Sequence, residues 1–237
     1  MSNLVDIHSH ILPNIDDGSK SPSESVEMLK MLKAQGVTDV IATPHFKMTS
    51  KSVSVNDFLA LRQEAYYNLL EEIKKQNIEL PNIRLGAEVY ITMDLLESGE
   101  IKRLCIEGTK NVLLEMPYGE WCGWMFRMIN EECKKEGITP IIAHIDRYTD
   151  IISKRTYNEL FAQPFELQIN AEIIHNSAAM HMLSKWIKTG KIHYVGSDCH
   201  GVEYRPPEMD SFIRVVEKKH GKDFIKHLNN CARELIV

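Results

Sequence analysis

The chain has 237 residues, 43% of them hydrophobic and 26% charged, with a formal net charge of -5 and a pI near 6.1, the profile of a soluble globular protein. No surplus of Lys or Arg is available to neutralise a phosphate backbone, which excludes nucleic acid as main partner, and no apolar run approaches the ~18 residues of a membrane span. Cys105, Cys122, Cys133, Cys199 and Cys231 are odd in number and form no Cys-x-x-Cys pair. They fit free thiols in a reducing cytoplasm, and no secretory signal or direct membrane insertion is expected.

Val5-Asp6-Ile7-His8-Ser9-His10 opens the chain as a predicted strand over Leu4 to His8, with the turn residues Asn14 to Ser19 beyond it. Side chains alternate with period two, so His8 and His10 share a side. Ser21-Pro22-Ser23-Glu24 predicts a helix start, with Ser21 as N-cap, and Gly36 predicts its stop. Asp39 to Thr43 reads as a buried strand broken by Pro44-His45, and Lys47 to Asn56 as a polar loop. Asp57 to Gln76 is a predicted amphipathic helix with Leu61, Tyr66, Leu69, Leu70 and Ile73 on its apolar side.

The alternation continues with strands over Ile83 to Val89, Asn111 to Glu115, Thr139 to Ala143, Phe165 to Ile169 and His193 to Gly196. Helices are predicted over Met93 to Glu107, Trp124 to Glu136, Arg155 to Gln163, Ala178 to Thr189, Met209 to His220 and Asp223 to Leu235. Seven strands, each followed by a helix, imply parallel pairing with right-handed crossovers in one barrel-like α/β domain spanning residues 1–237. Trp121, Trp124 and Trp186 read as packing residues, and the methionines as core filler.

On this map His8 and His10 end the first strand, His45 the second, Glu88 the third, Glu115 the fourth, His144 the fifth, and Asp198 with His200 the seventh. Residues at the carboxyl ends of parallel barrel strands surround one mouth. Three acids and five imidazoles exceed the four ligands of a single tetrahedral zinc and suit two or three ions sharing a bridging carboxylate. Such clusters hydrolyse phosphate esters, and the mixed donor set is compatible with Mn, Fe or Zn. Asp16-Asp17-Gly18 leaves the first strand beside the histidine pair, so one of these acids could reach a metal. Arg147 and Arg205 follow ligand-bearing strand ends, where a guanidinium could clamp phosphate oxygens.

His8-Ser9-His10-Ile11-Leu12-Pro13, Asp16-Asp17-Gly18, Thr43-Pro44-His45, Gly86-Ala87-Glu88, Leu114-Glu115, Ala143-His144 with Arg147, and Gly196-Ser197-Asp198-Cys199-His200 with Arg205 resemble the polymerase-and-histidinol-phosphatase (PHP) superfamily. Within it the chain is similar to the manganese-dependent tyrosine phosphatases of bacterial capsule and exopolysaccharide loci, the CpsB/YwqE type. The resemblance implies a distorted seven-stranded PHP-type (β/α) barrel holding three divalent metal ions. It assigns His8, His10, Glu88 and Asp198 to one ion, bridging Glu88 with Glu115 and His144 to a second, and Asp17, His45 and His200 to a third. It places Arg147 and Arg205 on the substrate phosphate, and it implies phosphotyrosine on the tail of a bacterial tyrosine autokinase as substrate.

Three other readings compete. Cys199 and Arg205 satisfy the Cys-x5-Arg spacing of cysteine-based tyrosine phosphatases, but the loop has one glycine and is followed by Pro206-Pro207. Histidinol-phosphate phosphatase would use the same metal chemistry with a different pocket. A metal-stabilised module that only binds the kinase tail would not need an open multinuclear centre. His175, His181, His193, His220 and His227 lie off the strand ends and stay outside the predicted site.

Overall fold

A computed structural model describes residues 3–49 and 53–236, in which nine strands, all paired in parallel, alternate with eight α-helices. Strand β1 (Leu4–Ser9) is buried along its whole length. Helix α1 (Pro22–Ala34) starts as its sequence dictates: Ser21 Oγ accepts from Glu24 N at 3.1 Å, and the Glu24 carboxylate accepts from Lys20 N at 2.8 Å. Strand β2 (Val37–Ala42) lies between β1 and β4 (Asn82–Leu85), completing a three-stranded sheet.

The second sheet has six strands in the order β3 (His45–Lys47), β5 (Glu88–Tyr90), β6 (Asn111–Glu115), β7 (Thr139–Ile142), β8 (Glu166–Asn170) and β9 (Ile192–Gly196). The expected seven strands become nine because two of them are interrupted. Pro44 has no N–H to give a ladder, and it separates β2 from β3. Gly86-Ala87 separates β4 from β5, where a Cβ on Gly86 would lie 3.2 Å from Ile41 Cγ2 and 3.3 Å from Thr43 Cγ2. Gly86 N→Ala42 O (2.8 Å) and Glu88 N→Pro44 O (3.0 Å) step across the two gaps. At the other edge, Asp198 N→His8 O (2.8 Å) and His10 N→Cys199 O (3.0 Å) bring the end of β9 to the end of β1. The strands thus form two parallel sheets rather than one continuous ladder, and among the described residues no closed barrel is detected.

Both sheets face a shared apolar interior of Val5, Ile7, Ile41, Leu113, Ile141 and Tyr194, closed at one end by Ala232 and Leu235. The larger core lies outside the strands, beneath the helices. Helix α2 (Val55–Gln76) starts two residues before the expected Asp57 because Ser54 Oγ caps it, accepting from Asp57 N at 3.2 Å. Its buried stripe is Val55, Phe58, Ala65 and Leu69; the predicted Leu61 and Leu70 flank that stripe and are 48% and 37% exposed. The predicted loop 47–56 holds Lys47 at the end of β3, and residues 50–52 lie outside the described residues.

The predicted helix Met93 to Glu107 is shorter: α3 (Met93–Ser98) stops at Gly99, and a 3-10 turn follows over Ile101–Leu104. Helices α4 (Gly123–Glu136), α5 (Lys154–Phe161), α6 (Ser177–Trp186), α7 (Met209–His220) and α8 (Lys222–Glu234) fall within two residues of expectation at their starts. Trp121 and Trp186 are buried as expected, whereas Trp124, at the exposed start of α4, is not. The Arg84 guanidinium ties α8 to β4, donating to Leu235 O (3.1 Å) and Ile236 O (2.7 Å). Among the described residues no helix is long and apolar enough to cross a membrane.

Candidate active site

The chemistry-bearing residues gather where the strands end or break. His8 lies in β1 and His10 just after it, and both are fully buried. His45 and Glu88 begin β3 and β5, rather than ending the second and third strands, and are register partners across that pair. Glu115 is the last residue of β6, and His144 follows β7 as the cap of a 3-10 turn over Ile145–Tyr148. Asp198 and His200 follow β9. Among the described residues five non-glycines have positive φ, and three belong here: His144 (31°), Asp198 (51°) and Arg205 (49°). Such backbone costs of order 1–3 kcal/mol per residue and persists where the surroundings over-determine it.

Their side chains converge in three overlapping groups. In the first, His8 Nε2 and His10 Nε2 lie 3.2 Å apart, each 3.2 Å from Glu88 Oε2, and 3.5 and 3.3 Å from Asp198 Oδ1. The second holds His45, Glu88 and Glu115, with His45 Nδ1 2.9 Å from Glu88 Oε2; His144 belongs to none of the three groups but lies beside this one, its Nε2 2.6 Å from Glu88 Oε1 and 3.8 Å from Glu115 Oε1. In the third, Asp17 Oδ1 is 3.4 Å from His45 Nε2 and 3.5 Å from His200 Nε2, with His10 also in reach. The structure thus brings together every predicted ligand. It also places His10 and His45 in two groups each, where the resemblance implied one.

These residues fit a cation cluster. Glu88 Oε2 is buried and makes no hydrogen bond, although three imidazole nitrogens surround it at 2.9 to 3.2 Å. A buried carboxylate oxygen without a donor is costly. Bonds of ~2.0–2.2 Å to one ion would hold donor atoms about 3–3.6 Å apart, which is the spacing of the first group. Electrostatics point the same way. Burial alone would raise the carboxylates and lower the imidazoles. Instead, His8 and His10 hold Glu88 and Asp198 well below the usual carboxylate range, and those acids with Asp16 raise His8 and His10. Burial together with the neighbouring His10 charge pushes His200 down to about 4.

Several supporting roles escaped the sequence reading, which took Asp16 only as a possible ligand. Asp16, rather than its neighbour Asp17, orients the histidines: Oδ2 accepts from His10 Nδ1 at 2.8 Å and from His45 N at 3.0 Å. Gly18 is needed in that turn, since a Cβ there would meet His10 O at 2.3 Å. Asp6, buried in β1 between Val5 and Ile7, accepts from Ser197 N (2.8 Å) and Ser197 Oγ (2.6 Å), and burial raises it to about 6. A charge inside a buried strand was the available signal. On β8, Gln168 and Asn170 occupy alternate positions and are fully buried; polar residues at period two were the signal there.

Arg205 makes a close ion pair through Nη2 with Asp198 Oδ2, and its Nη1 is 3.3 Å from His200 Nε2. Arg147 Nη1 approaches the same Asp198 oxygen at 3.7 Å and is half-exposed. Cys199, the nucleophile of the competing Cys-x5-Arg reading, is fully buried, and burial pushes its thiol up to about 12. Nothing there makes a thiolate. Four of the histidines left out have other partners: His193 accepts from Leu167 N at 3.2 Å, His227 sits 3.0 Å from Ile192 O, His175 pairs with Glu208 at 2.6 Å, and His220 lies 3.4 Å from Ser184 Oγ.

Known proteins share both sequence and shape with this chain. The profile of the family described as capsular polysaccharide synthesis, CpsB/CapC, matches residues 4–236. Tyrosine-protein phosphatase CpsB of Streptococcus pneumoniae is 30% identical over 243 residues, covering 95% of this chain and 94% of its own. Tyrosine-protein phosphatase YwqE of Bacillus subtilis is 29% identical over 242 residues, covering 98% and 91%. A crystal structure from work on YwqE from Bacillus subtilis and CpsB from Streptococcus pneumoniae, described as metal-dependent tyrosine phosphatases, superposes with a TM-score of 0.82 at 26% identity over 98% of this chain and 94% of that one. Histidinol phosphate phosphatase from Lactococcus lactis, solved with Zn, L-histidinol and phosphate, reaches a TM-score of 0.57 at 15% identity over 92% and 94%, a likeness of fold alone. With the ligand-type residues gathered at one mouth and the family profile spanning nearly the whole chain, this protein belongs to the CpsB/CapC family of capsular polysaccharide synthesis.

Proposed function

We propose that the protein is a metal-dependent phosphomonoesterase that hydrolyses protein phosphotyrosine, on the tail of a bacterial tyrosine autokinase that regulates capsular or exopolysaccharide synthesis in the cytoplasm. The observation that carries this reading is Glu88, a buried carboxylate facing four imidazoles with one oxygen lacking any donor. Three divalent ions, Mn for preference, fit the three donor groups. His8, His10, Glu88 and Asp198 would hold one, Glu88 with Glu115, His144 and His45 a second, and Asp17, His45, His200 and His10 a third. When bound, such ions acidify a coordinated water and neutralise charge on the phosphoryl oxygens. The two interrupted strands, taken as continuous, together with the β9-to-β1 contacts support a distorted seven-stranded PHP-type arrangement.

The chain's own part is to place the ester. Arg147 and Arg205 both reach for Asp198 Oδ2. A phosphate dianion offers them several oxygens in place of one, and each charge-assisted bond is worth roughly 1.5–3 kcal/mol. Arg147→Ala and Arg205→Ala are each expected to lower kcat/KM by ~10–100-fold at about 1.4 kcal/mol per decade. Metal content should hold, because neither residue is a ligand. Steady-state kinetics beside elemental analysis checks this, and retained kcat/KM in both variants removes the phosphate role.

The phenolate leaving group of phosphotyrosine, with a conjugate acid near ~10, departs without the full protonation that a serine alkoxide needs. The Mn-loaded protein should therefore turn over phosphotyrosyl peptides at least ~100-fold faster in kcat/KM than phosphoseryl peptides, about 2.7 kcal/mol. A preference for histidinol phosphate over both would move the substrate to the small-molecule class.

A further inference from the structure

We propose that β8, which supplies no candidate ligand, fixes the proton on His8 through a directional pair of amides, making Gln168 and Asn170 positioning residues of the metal centre. This inference rests on the metal centre proposed above. Every other strand of the six-stranded sheet contains a candidate ligand or leads into one.

The direction of the pair is set from both ends. An ionised carboxylate only accepts. Asn170 must therefore turn Nδ2 to Asp198 Oδ2, 2.7 Å away, which leaves Asn170 Oδ1 as an acceptor. Gln168 Nε2 fills it at 2.9 Å and also donates to Ile169 O at 2.7 Å, a carbonyl that can only accept. Gln168 Oε1 consequently points the other way. It accepts from the His144 backbone N–H, an obligate donor, at 2.6 Å.

The same Oε1 faces His8 Nδ1 at 3.4 Å. Facing a pure acceptor, His8 Nδ1 carries the hydrogen. Nε2, turned toward Glu88, Asp198 and His10, is then the nitrogen free to bind the proposed cation. His8, Gln168 and Asn170 are all fully buried, away from bulk solvent. One amide pair thus links His8, His144 and Asp198, three residues from three separate strand ends. The arrangement differs from that of His10, whose Nδ1 meets the Asp16 carboxylate at 2.8 Å. His10 is held by a charge, His8 by a neutral relay.

The test titrates purified full-length protein, stripped of metal, with Mn(II) alone, and measures thermal stability alongside. Gln168→Leu removes the acceptor and is expected to weaken Mn(II) binding by ~10–100-fold, the range for loss of a group that orients a ligand. Gln168→Glu keeps an oxygen toward His8 Nδ1 but sets a carboxylate against Asn170 Oδ1. It should melt below wild type yet bind Mn(II) at least as tightly. A role in packing alone would move affinity and melting temperature together in both variants, and that result overturns the proposal, as does wild-type affinity in Gln168→Leu. Wild-type protein that binds no Mn(II) overturns the metal centre and this inference with it. If Gln168→Leu does not fold, nitrogen NMR of zinc-loaded wild type decides: protonated Nδ1 with Nε2 on zinc supports the relay, and the reverse refutes it.

Discussion

Exhaustive chelation is expected to abolish phosphatase activity, and added Mn(II) to restore it, while Cys199→Ser keeps full activity. The physical reason is the donor set. His8, His10, Glu88 and Asp198 approach one another at 3.2 to 3.5 Å in a buried pocket, the spacing of donor atoms around one cation. A centre of this kind has no strong nucleophile of its own, since its one thiol is buried with its pKa raised to about 12. The loss on chelation should exceed ~10³-fold, about 4 kcal/mol. Activity that survives in protein shown metal-free by elemental analysis, or that disappears in Cys199→Ser, would overturn the metal-dependent reading.

Glu88→Gln is expected to lose at least one equivalent of metal and roughly 10³-fold in kcat, since a bound ion contributes several kcal/mol of charge stabilisation. Glu88 is the member whose two oxygens face different partners: Oε2 toward His8, His10 and His45, Oε1 toward His144. The amide keeps the shape, removes the charge, and presents an N–H where a lone pair is needed. His193→Ala is the matched control, because His193 sits near the start of β9 and only accepts from Leu167 N. Metal stoichiometry and kcat for both variants check this. Equal damage from the two would mean that position along the strand does not sort functional from structural residues here.

Much of this was legible in the sequence, for identifiable reasons. Asn111 to Glu115 and Met209 to His220 form where hydrophobic period and breakers predict them, and Ser21 caps α1 because hydroxyl, proline and glutamate agree locally. The ligand-type residues could be picked out because each follows or interrupts an apolar run. The resumption of the second strand after Pro44 and the break at Gly86 were less visible, since a strand that pauses and resumes keeps the same alternation on both sides. Leu61 and Leu70 misled because α2 is partly exposed, and composition does not say which leucines flank the buried stripe. Asp16 was read only as a possible ligand, and Gln168 and Asn170 were missed, because their roles depend on partners 6 to 29 residues away for Asp16 and 24 to 160 for the amides. Spacing within a strand does not encode those meetings.

The pauses in β2–β3 and β4–β5 bear on how this chain can vary in length. Short connections between elements ordinarily accept an added or lost residue at little cost. Thr43-Pro44 and Gly86-Ala87 are different, because His45 and Glu88 resume as register partners immediately afterwards. With side chains alternating every residue, removing or adding one amino acid in either dipeptide would turn one partner to the opposite face of the sheet. An imidazole or a carboxylate would then point into the helical layer, and its counterpart would be stranded at the mouth. Matched changes in both dipeptides would be needed to keep the pair together, and even those would shift it along the strands relative to His8 and Asp198. These two-residue segments therefore act as fixed-length spacers, where substitution is easier to absorb than insertion or deletion.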